Sequence, residues 1–325
     1  MKTKKCNPLR ILWKILSTFV LVIVCLFCTA YICEKLLFAP FYALARSEIT
    51  VPGTWDGFIS QGFDKVDENT YLVSGYDKDD APSSIYVSNG DEWTKCELFE
   101  EENKASTTHA GGVTHFGEYV YVAHGSSCDR YALSDVLDGD SKAIRIDSVK
   151  TMNQVSFCSI VGNKLYAGTF YREGSSTLNI EHHLTTAAGD KNTALIAVYG
   201  IDESTGLLTA ETPERLYSIT SGVQGMCITA SGKIVLSTSW GLTPSKLLVY
   251  DESKAQQTTL TIDGVEYQTT VLDSACLTKE VTAPPMAEEL VYERGRVIIM
   301  NESASMKYLF GKLTSGAVAF SYPIA

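Results

Sequence analysis

The sequence predicts an all-β domain of five repeated four-stranded antiparallel units, preceded by one N-terminal transmembrane helix. Two observations carry this. One hairpin pattern recurs five times between residues 60 and 303, and an uncharged apolar run fills residues 15–33. Composition agrees: 325 residues at 45% hydrophobic suffice for a large core, and a net charge of −11 excludes a nucleic-acid-binding surface, because an acidic chain repels a phosphate backbone.

Residues 1–14 form a basic tail, with Lys2, Lys4, Lys5, Arg10 and Lys14, ahead of the apolar run. The 19 residues of that run cross most of a hydrocarbon core as one helix. The positive flank belongs in the cytoplasm, which puts everything after it outside the cell. A cleaved signal peptide is the competing reading, since Ala43, Leu44 and Ala45 have the small-x-small form of a cleavage site. That stretch lies about ten residues beyond the run, so an uncleaved signal anchor is preferred. Residues 34–57, broken by Pro40 and Pro52, read as a juxtamembrane connector, and residues 58–325 as the extracellular domain.

Within that domain the period changes to two. The hairpins are "SQGFDKVDENTYLVSGY" (60–76), "AGGVTHFGEYVYVAHG" (110–125), "VSFCSIVGNKLYAGTFY" (155–171), "VQGMCITASGKIVLSTSW" (223–240) and "AEELVYERGRVIIMNES" (287–303). A third strand follows each, in "SSIYVSN", "DRYALSD", "TALIAVYGID", "SKLLVYDES" and "MKYLFGKL". A fourth follows in "TKCELFE", "AIRIDSV", "ERLYSIT" and "QTTVLD". The last unit lacks an evident outer strand. Either the C-terminal "GAVAFSYPIA" or the segment before Phe58 fills it, and an N-terminal strand there would close a ring. The odd count of Cys96, Cys128, Cys158, Cys227 and Cys276 gives no disulfide framework, which fits a bacterial surface protein, and Cys158 and Cys227 read as buried thiols.

With this repeat the chain resembles the β-propeller superfamily, in a five-bladed form, over nearly all of residues 55–325. The resemblance implies a central channel lined by the first strand of each blade. It also implies a ligand-binding rim where first strands begin and second strands end. That rim holds Gln61, His109, Ser156, Gln224, Glu288 and Glu289 at the entries. At the exits stand Tyr76, Asp77, His124, Tyr171, Arg172, Trp240, Asn301 and Glu302. Tyr76, Tyr171 and Trp240 suit sugars or peptides. Glu288 and Glu289 at a channel mouth are candidates for Ca²⁺, while His109 and His124 are weaker candidates for a shared transition metal. The segment at 172–192 exceeds the corresponding loops by roughly eighteen residues and reads as a lid or partner-contact loop. "GYDKDDAPSS", with Asp77, Asp79 and Asp80, lacks the glycine and distal glutamate of an EF-hand and reads as a solvated turn.

No GxSxG, HExxH or phosphate-binding GxxxxGK[ST] motif occurs. Two functional readings follow. The leading one is a membrane-anchored extracellular module that binds a protein or carbohydrate partner on the rim. The alternative is a metal-assisted hydrolase, lactonase-like or glycosidase-like, centred on Glu288 with His109 as acid–base or ligand; "MAEEL" is similar to the channel glutamate of lactonase-like propellers.

Overall fold

Alternation along each strand sends successive side chains into the two spaces flanking its sheet, and five such sheets close around an axis. A computed structural model describes residues 8–79, 81–90, 92–138, 142–174, 182–308, 311–312 and 314–324. Lys2, Lys4, Lys5 and Asp80, singled out above, and residues 175–181 of the long segment, with Glu181, lie outside the described residues.

From the channel outward, blade 1 is Phe58–Lys65, Tyr71–Asp77, Ser84–Asn89 and Glu92–Glu101, and blade 2 is Val113–Phe116, Tyr119–His124, Ser127–Ala132 and Asp147–Lys150. Blade 3 is Phe157–Val161, Lys164–Gly168, Ala194–Gly200 and Arg215–Ile219. Blade 4 is Val223–Ile228, Ile234–Thr238, Ser245–Tyr250 and Leu277–Ala283. Blade 5 is Ala287–Glu293, Arg296–Asn301 and Val318–Pro323, completed on its outside by Arg46–Thr50. The protein is a five-bladed β-propeller.

One apolar cluster fills each space between neighbouring blades. The second strand of blade 2 shows how the period of two builds them. Val120 and Val122 pack with Leu72 and Leu98 of blade 1, and Tyr121 and Ala123 pack with Leu165 and Tyr199 of blade 3. A blade alone would expose both faces, so closure is what buries them. Ring closure joins the two ends of the chain: Arg46 stands opposite Ser321 and Thr50 opposite Val318, antiparallel. This strand lies inside the segment expected as a connector.

Three fourth-strand or third-strand expectations need correction. "QTTVLD" belongs to the hairpin Gln256–Ile262 and Val265–Val271, which leaves blade 4 and pairs in parallel with the outer strand of blade 3 through Leu216 and Thr269. The outer strand of blade 4 is Leu277–Ala283 instead. "AIRIDSV" splits: Lys142–Ile144 pairs in parallel with the outer strand of blade 1, and only Asp147–Lys150 joins blade 2. "MKYLFGKL" forms no strand among the described residues, and a Cβ on its Gly311 would collide with the Ser303 carbonyl. The C-terminal strand takes the third place.

The apolar run lies in a helix, Pro8–Leu37, and none of its most apolar stretch is buried. A short turn of helix, Ala39–Tyr42, follows. Phe38 and Phe41, each 3% exposed, enter the apolar cluster between blades 4 and 5. The Phe41 ring stacks on Tyr322 at 5.2 Å and meets Phe320 edge-on. Cys96, Cys128, Cys158, Cys227 and Cys276 are buried and free.

Candidate functional site

Three inner strands break register at the same level. The ladder skips Gln61 between Ser60 and Gly62 in blade 1, Gln224 between Val223 and Gly225 in blade 4, and Glu288 with Glu289 between Ala287 and Leu290 in blade 5. A bulge re-aims the extra side chain out of the sheet. Here it turns two amides and a carboxyl toward one mouth of the channel. Gln224 Nε2 donates to Glu288 Oε1 at 3.0 Å, and Gln61 Nε2 donates to Glu302 Oε2 at 3.0 Å. The glycine after Gln224 lets the strands approach: a Cβ on Gly225 would stand 2.6 Å from Glu289 Cα.

Glu288 is 3% exposed, and burial holds its pKa well above the carboxylate range, reinforced by Glu302 and Glu289 nearby. Burial also lifts Glu302 to about 7, against the opposing pull of Lys307, Gln61 and Tyr308. Lys307 Nζ donates to Tyr76 Oη at 2.8 Å, and the Tyr76 ring lies 4.3 Å from that of His109. The mouth therefore gathers Gln61, Tyr76, His109, Gln224, Glu288, Glu302 and Lys307.

Glu289 does something else. Its Oε2 accepts the N–H groups of Phe63 at 3.0 Å and Val113 at 2.8 Å, and its Oε1 that of Cys158 at 3.1 Å. These donors belong to the inner strands of blades 1, 2 and 3, so one carboxylate on blade 5 ties three other blades. Burial pushes its pKa up, and the three donors pull against that. Both oxygens are thus held, which removes Glu289 from the rim. Among the described residues no three His, Cys, Asp or Glu side chains stand together as a cation site, and Glu289, whose oxygens accept three backbone N–H groups, is turned away from Glu288.

Beside the mouth, between blades 3 and 4, a cleft of about 800 Å³ is lined by Phe170, Tyr171, Arg172, Gly222, Trp240 and Thr243. Trp240 is 46% exposed. The Arg172 guanidinium sits 3.7 Å from its ring centroid, and Phe170 stacks on it at 6.2 Å. Backbone joins the cleft to the mouth, since Gly222 N donates to Tyr171 O at 2.9 Å and Gln224 follows two residues on.

The other expected rim residues go elsewhere. His124 Nδ1 lies 3.1 Å from Asp129 Oδ2, in a network with Arg145 and Ser148, and no hydrogen bond or ring contact joins it to His109. The Asp129 carboxylate raises the His124 pKa. Asn301 is 4% exposed, opposite Ala287 in the blade 5 ladder. The Ser156 hydroxyl accepts the N–H of Phe170. The Asp77 carboxylate accepts the N–H of Asp79, as a local turn does. From the long segment, Leu184–Thr185 pairs with Lys191–Asn192 as a small hairpin, His182 hydrogen-bonds Ser218 at 2.8 Å inside blade 3, and His183 meets Tyr171 edge-on. Its described part is docked rather than a free lid.

Sequence reasoning missed the opposite mouth. His115 Nδ1 lies 2.6 Å from Asp64 Oδ2, and a cavity of about 460 Å³ there is also lined by Lys65, Ser159, Tyr292 and Glu293. His115 was visible, but nothing local announces a partner 51 residues earlier in the chain.

No family model and no curated protein matches the chain. It is similar to several solved structures. These include the PQQ-bound form of aldose sugar dehydrogenase from Streptomyces coelicolor (13% identity, 79% of this chain and 77% of that one, TM-score 0.42). The PQQ domain of pyranose dehydrogenase from Coprinopsis cinerea is another (9% identity, 86% and 94% covered, TM-score 0.39). A chain of the nidogen–laminin complex also matches (10% identity, 75% and 72% covered, TM-score 0.36). These are likenesses of fold, and what makes this chain a five-bladed β-propeller is its own sheet order, closed by Arg46–Thr50.

Proposed function

We propose that this chain is a single-pass membrane protein, N-terminus cytoplasmic, whose extracellular propeller binds a carbohydrate or peptide partner on the face that carries the channel mouth and the cleft between blades 3 and 4. The cleft is the observation that carries the reading. An exposed indole, braced by Arg172 and Phe170 rather than free to collapse, offers a fixed apolar platform beside polar groups. Retention of the anchor is supported by Phe38 and Phe41, which lie before Ala43, Leu44 and Ala45 yet belong to the blade 5 core. Cleavage there would strip two buried rings from it.

The test is an array of cell-surface oligosaccharides and peptides probed with the full chain in lipid nanodiscs. Trp240→Ala is expected to abolish the signals that the native chain gives, with the melting temperature unchanged. Signals that survive the substitution would overturn the assignment to this cleft.

A second reading, hydrolysis at the mouth without a metal, is favoured by the neighbouring carboxyls of Glu288 and Glu302, one pushed well above the carboxylate range by burial, the other lifted to about 7. Turnover of nitrophenyl glycosides or aromatic lactones that disappears in Glu302→Gln supports it; no turnover by the native chain rejects it.

A further inference from the structure

The membrane helix does not end in a loose tether. At 1.5 Å per residue, the 19-residue apolar run covers roughly 28 Å of a hydrocarbon core about 30 Å thick, so Lys35, two residues past its end, stands at headgroup depth. Lys35 Nζ donates to Ser315 Oγ and sits 3.3 Å from the Tyr42 ring centroid, while Phe38 and Phe41 fill the blade 5 core. The height of the propeller above the bilayer is therefore set by side-chain contacts.

Three residues before Ser315, Lys312 donates through Nζ to Thr54 O, and its ammonium lies 3.7 Å from the centroid of the Trp55 ring. Trp55 is 72% exposed, the most exposed large apolar side chain among the described residues of the propeller. An indole bare to water, with a cation over its face and a headgroup-level residue one short turn away, matches what the membrane interface selects. The ring sits among the glycerol and upper chains, and the ammonium among the phosphates. A lysine here also runs against the overall charge of −11, which elsewhere repels an anionic leaflet.

We propose that the edge of blade 5 bearing Trp55, Lys312 and Ser315 rests on the lipid headgroups, with the Trp55 indole in the bilayer interface; this rests on the reading of residues 8–37 as an uncleaved anchor. The connection that supplies Lys312 and Ser315 also supplies Glu302, Lys307 and Tyr308 to the channel mouth, so the mouth is held close to the membrane surface.

The full chain is reconstituted into phosphatidylcholine–phosphatidylglycerol vesicles with lipids brominated in the upper acyl chain, and Trp55 is read as the only tryptophan in Trp13→Phe/Trp93→Phe/Trp240→Phe. Should that variant not fold, the difference between the native chain and Trp55→Phe isolates the same signal. Trp55 emission is expected to shift to the blue, to lose most of its intensity to bromine and to resist iodide. A protein that floats with the vesicles and resists carbonate, yet whose Trp55 is untouched by bromine and open to iodide, overturns the surface contact alone. A protein that does not float overturns the anchor, and the contact with it.

Discussion

The Glu289 carboxylate accepts the backbone N–H of Val113 at 2.8 Å across the channel, from blade 5 to blade 2. With the N–H groups of Phe63 and Cys158 it completes a pin through the axis. Glu289→Ala would leave three buried donors without an acceptor. Each orphaned group costs about 1 to 3 kcal/mol, so a loss of at least about 3 kcal/mol is expected in urea denaturation. Glu288→Gln, one residue away, keeps the bond from Gln224 replaceable by water or amide and should cost far less. Equal effects of the two substitutions would remove the pin.

The channel mouth makes stability depend on pH in an unusual direction. Burial lifts Glu302 from 4.5 to about 7, so between those values the folded chain holds a proton that the unfolded chain has released. Stability must then fall as pH rises through that window, by at most about 3 kcal/mol, the free energy of a shift of this size before solvent screening. Glu288 and Glu289 push the same way. So do His115 and His124, whose raised values stabilise the fold only while they are protonated. His109 and His182 oppose this, because burial lowers both, His182 to about 4, and costs stability as pH falls below 6.5. The Glu302 contribution is therefore read as the difference in urea-midpoint slope between the native chain and Glu302→Gln from pH 5 to pH 7.5. Glu302→Gln should flatten the slope while the histidine contribution stays, and an unchanged slope would place the titration elsewhere.

The segment that follows the apolar helix is built into the ring. Phe41 is packed between Phe320 and Tyr322, and Arg46–Thr50 begins five residues later. Phe41→Ala is expected to cost about 3 to 5 kcal/mol, as truncation of a buried aromatic does. Removing residues 46–50 should open the ring and yield an aggregating, protease-sensitive chain. The mass of the membrane-extracted protein checks the underlying claim: it should include residues 1–45, and a species starting after Ala45 contradicts it.

Much of this architecture was legible because it is local. Alternation in Val120–Tyr121–Val122–Ala123 and a turn at Gly117 are written within a dozen residues, and their fivefold recurrence announces blades. What was illegible is pairing. Val265–Val271 reads as a strand wherever it goes, and nothing in its period says that Thr269 will lie beside Leu216 of the preceding blade. The mouth divides the same way. Gln61 and Gln224 stand where first strands begin, which the hairpin pattern alone makes legible. Lys307 was hidden in a segment whose alternation mimics a strand, and Tyr308 with it. His124 was expected on the same rim as His109, but Asp129, on the next strand of its own blade, claims it. The difference between Glu288 and Glu289, adjacent and identical, is made entirely by the bulge that turns one into the mouth and the other into the axis.

The docked hairpin of the long segment should be separable from the rest of blade 3. Asn192, 1% exposed, donates from Nδ2 to Ser218 O at 2.8 Å and to Leu272 O at 3.0 Å. It thereby joins the hairpin to the outer strand of blade 3 and to the segment leaving the parallel tie. A second clamp, from Ser274 N to Asp190 Oδ2 at 2.7 Å, holds the turn. Asn192→Ala removes two bonds to buried carbonyls, each worth about 1 kcal/mol net and more if left unsatisfied. Amide exchange over Leu184–Asn192 is expected to accelerate while blades 1 and 2 keep their protection, because among the described residues the two strands of the hairpin pair only with each other, and side chains hold it in place. Because His183 meets Tyr171 edge-on at the cleft, the same substitution should also weaken any ligand held there, though less than Trp240→Ala does. Uniform acceleration across all five blades would instead make Asn192 part of the global core.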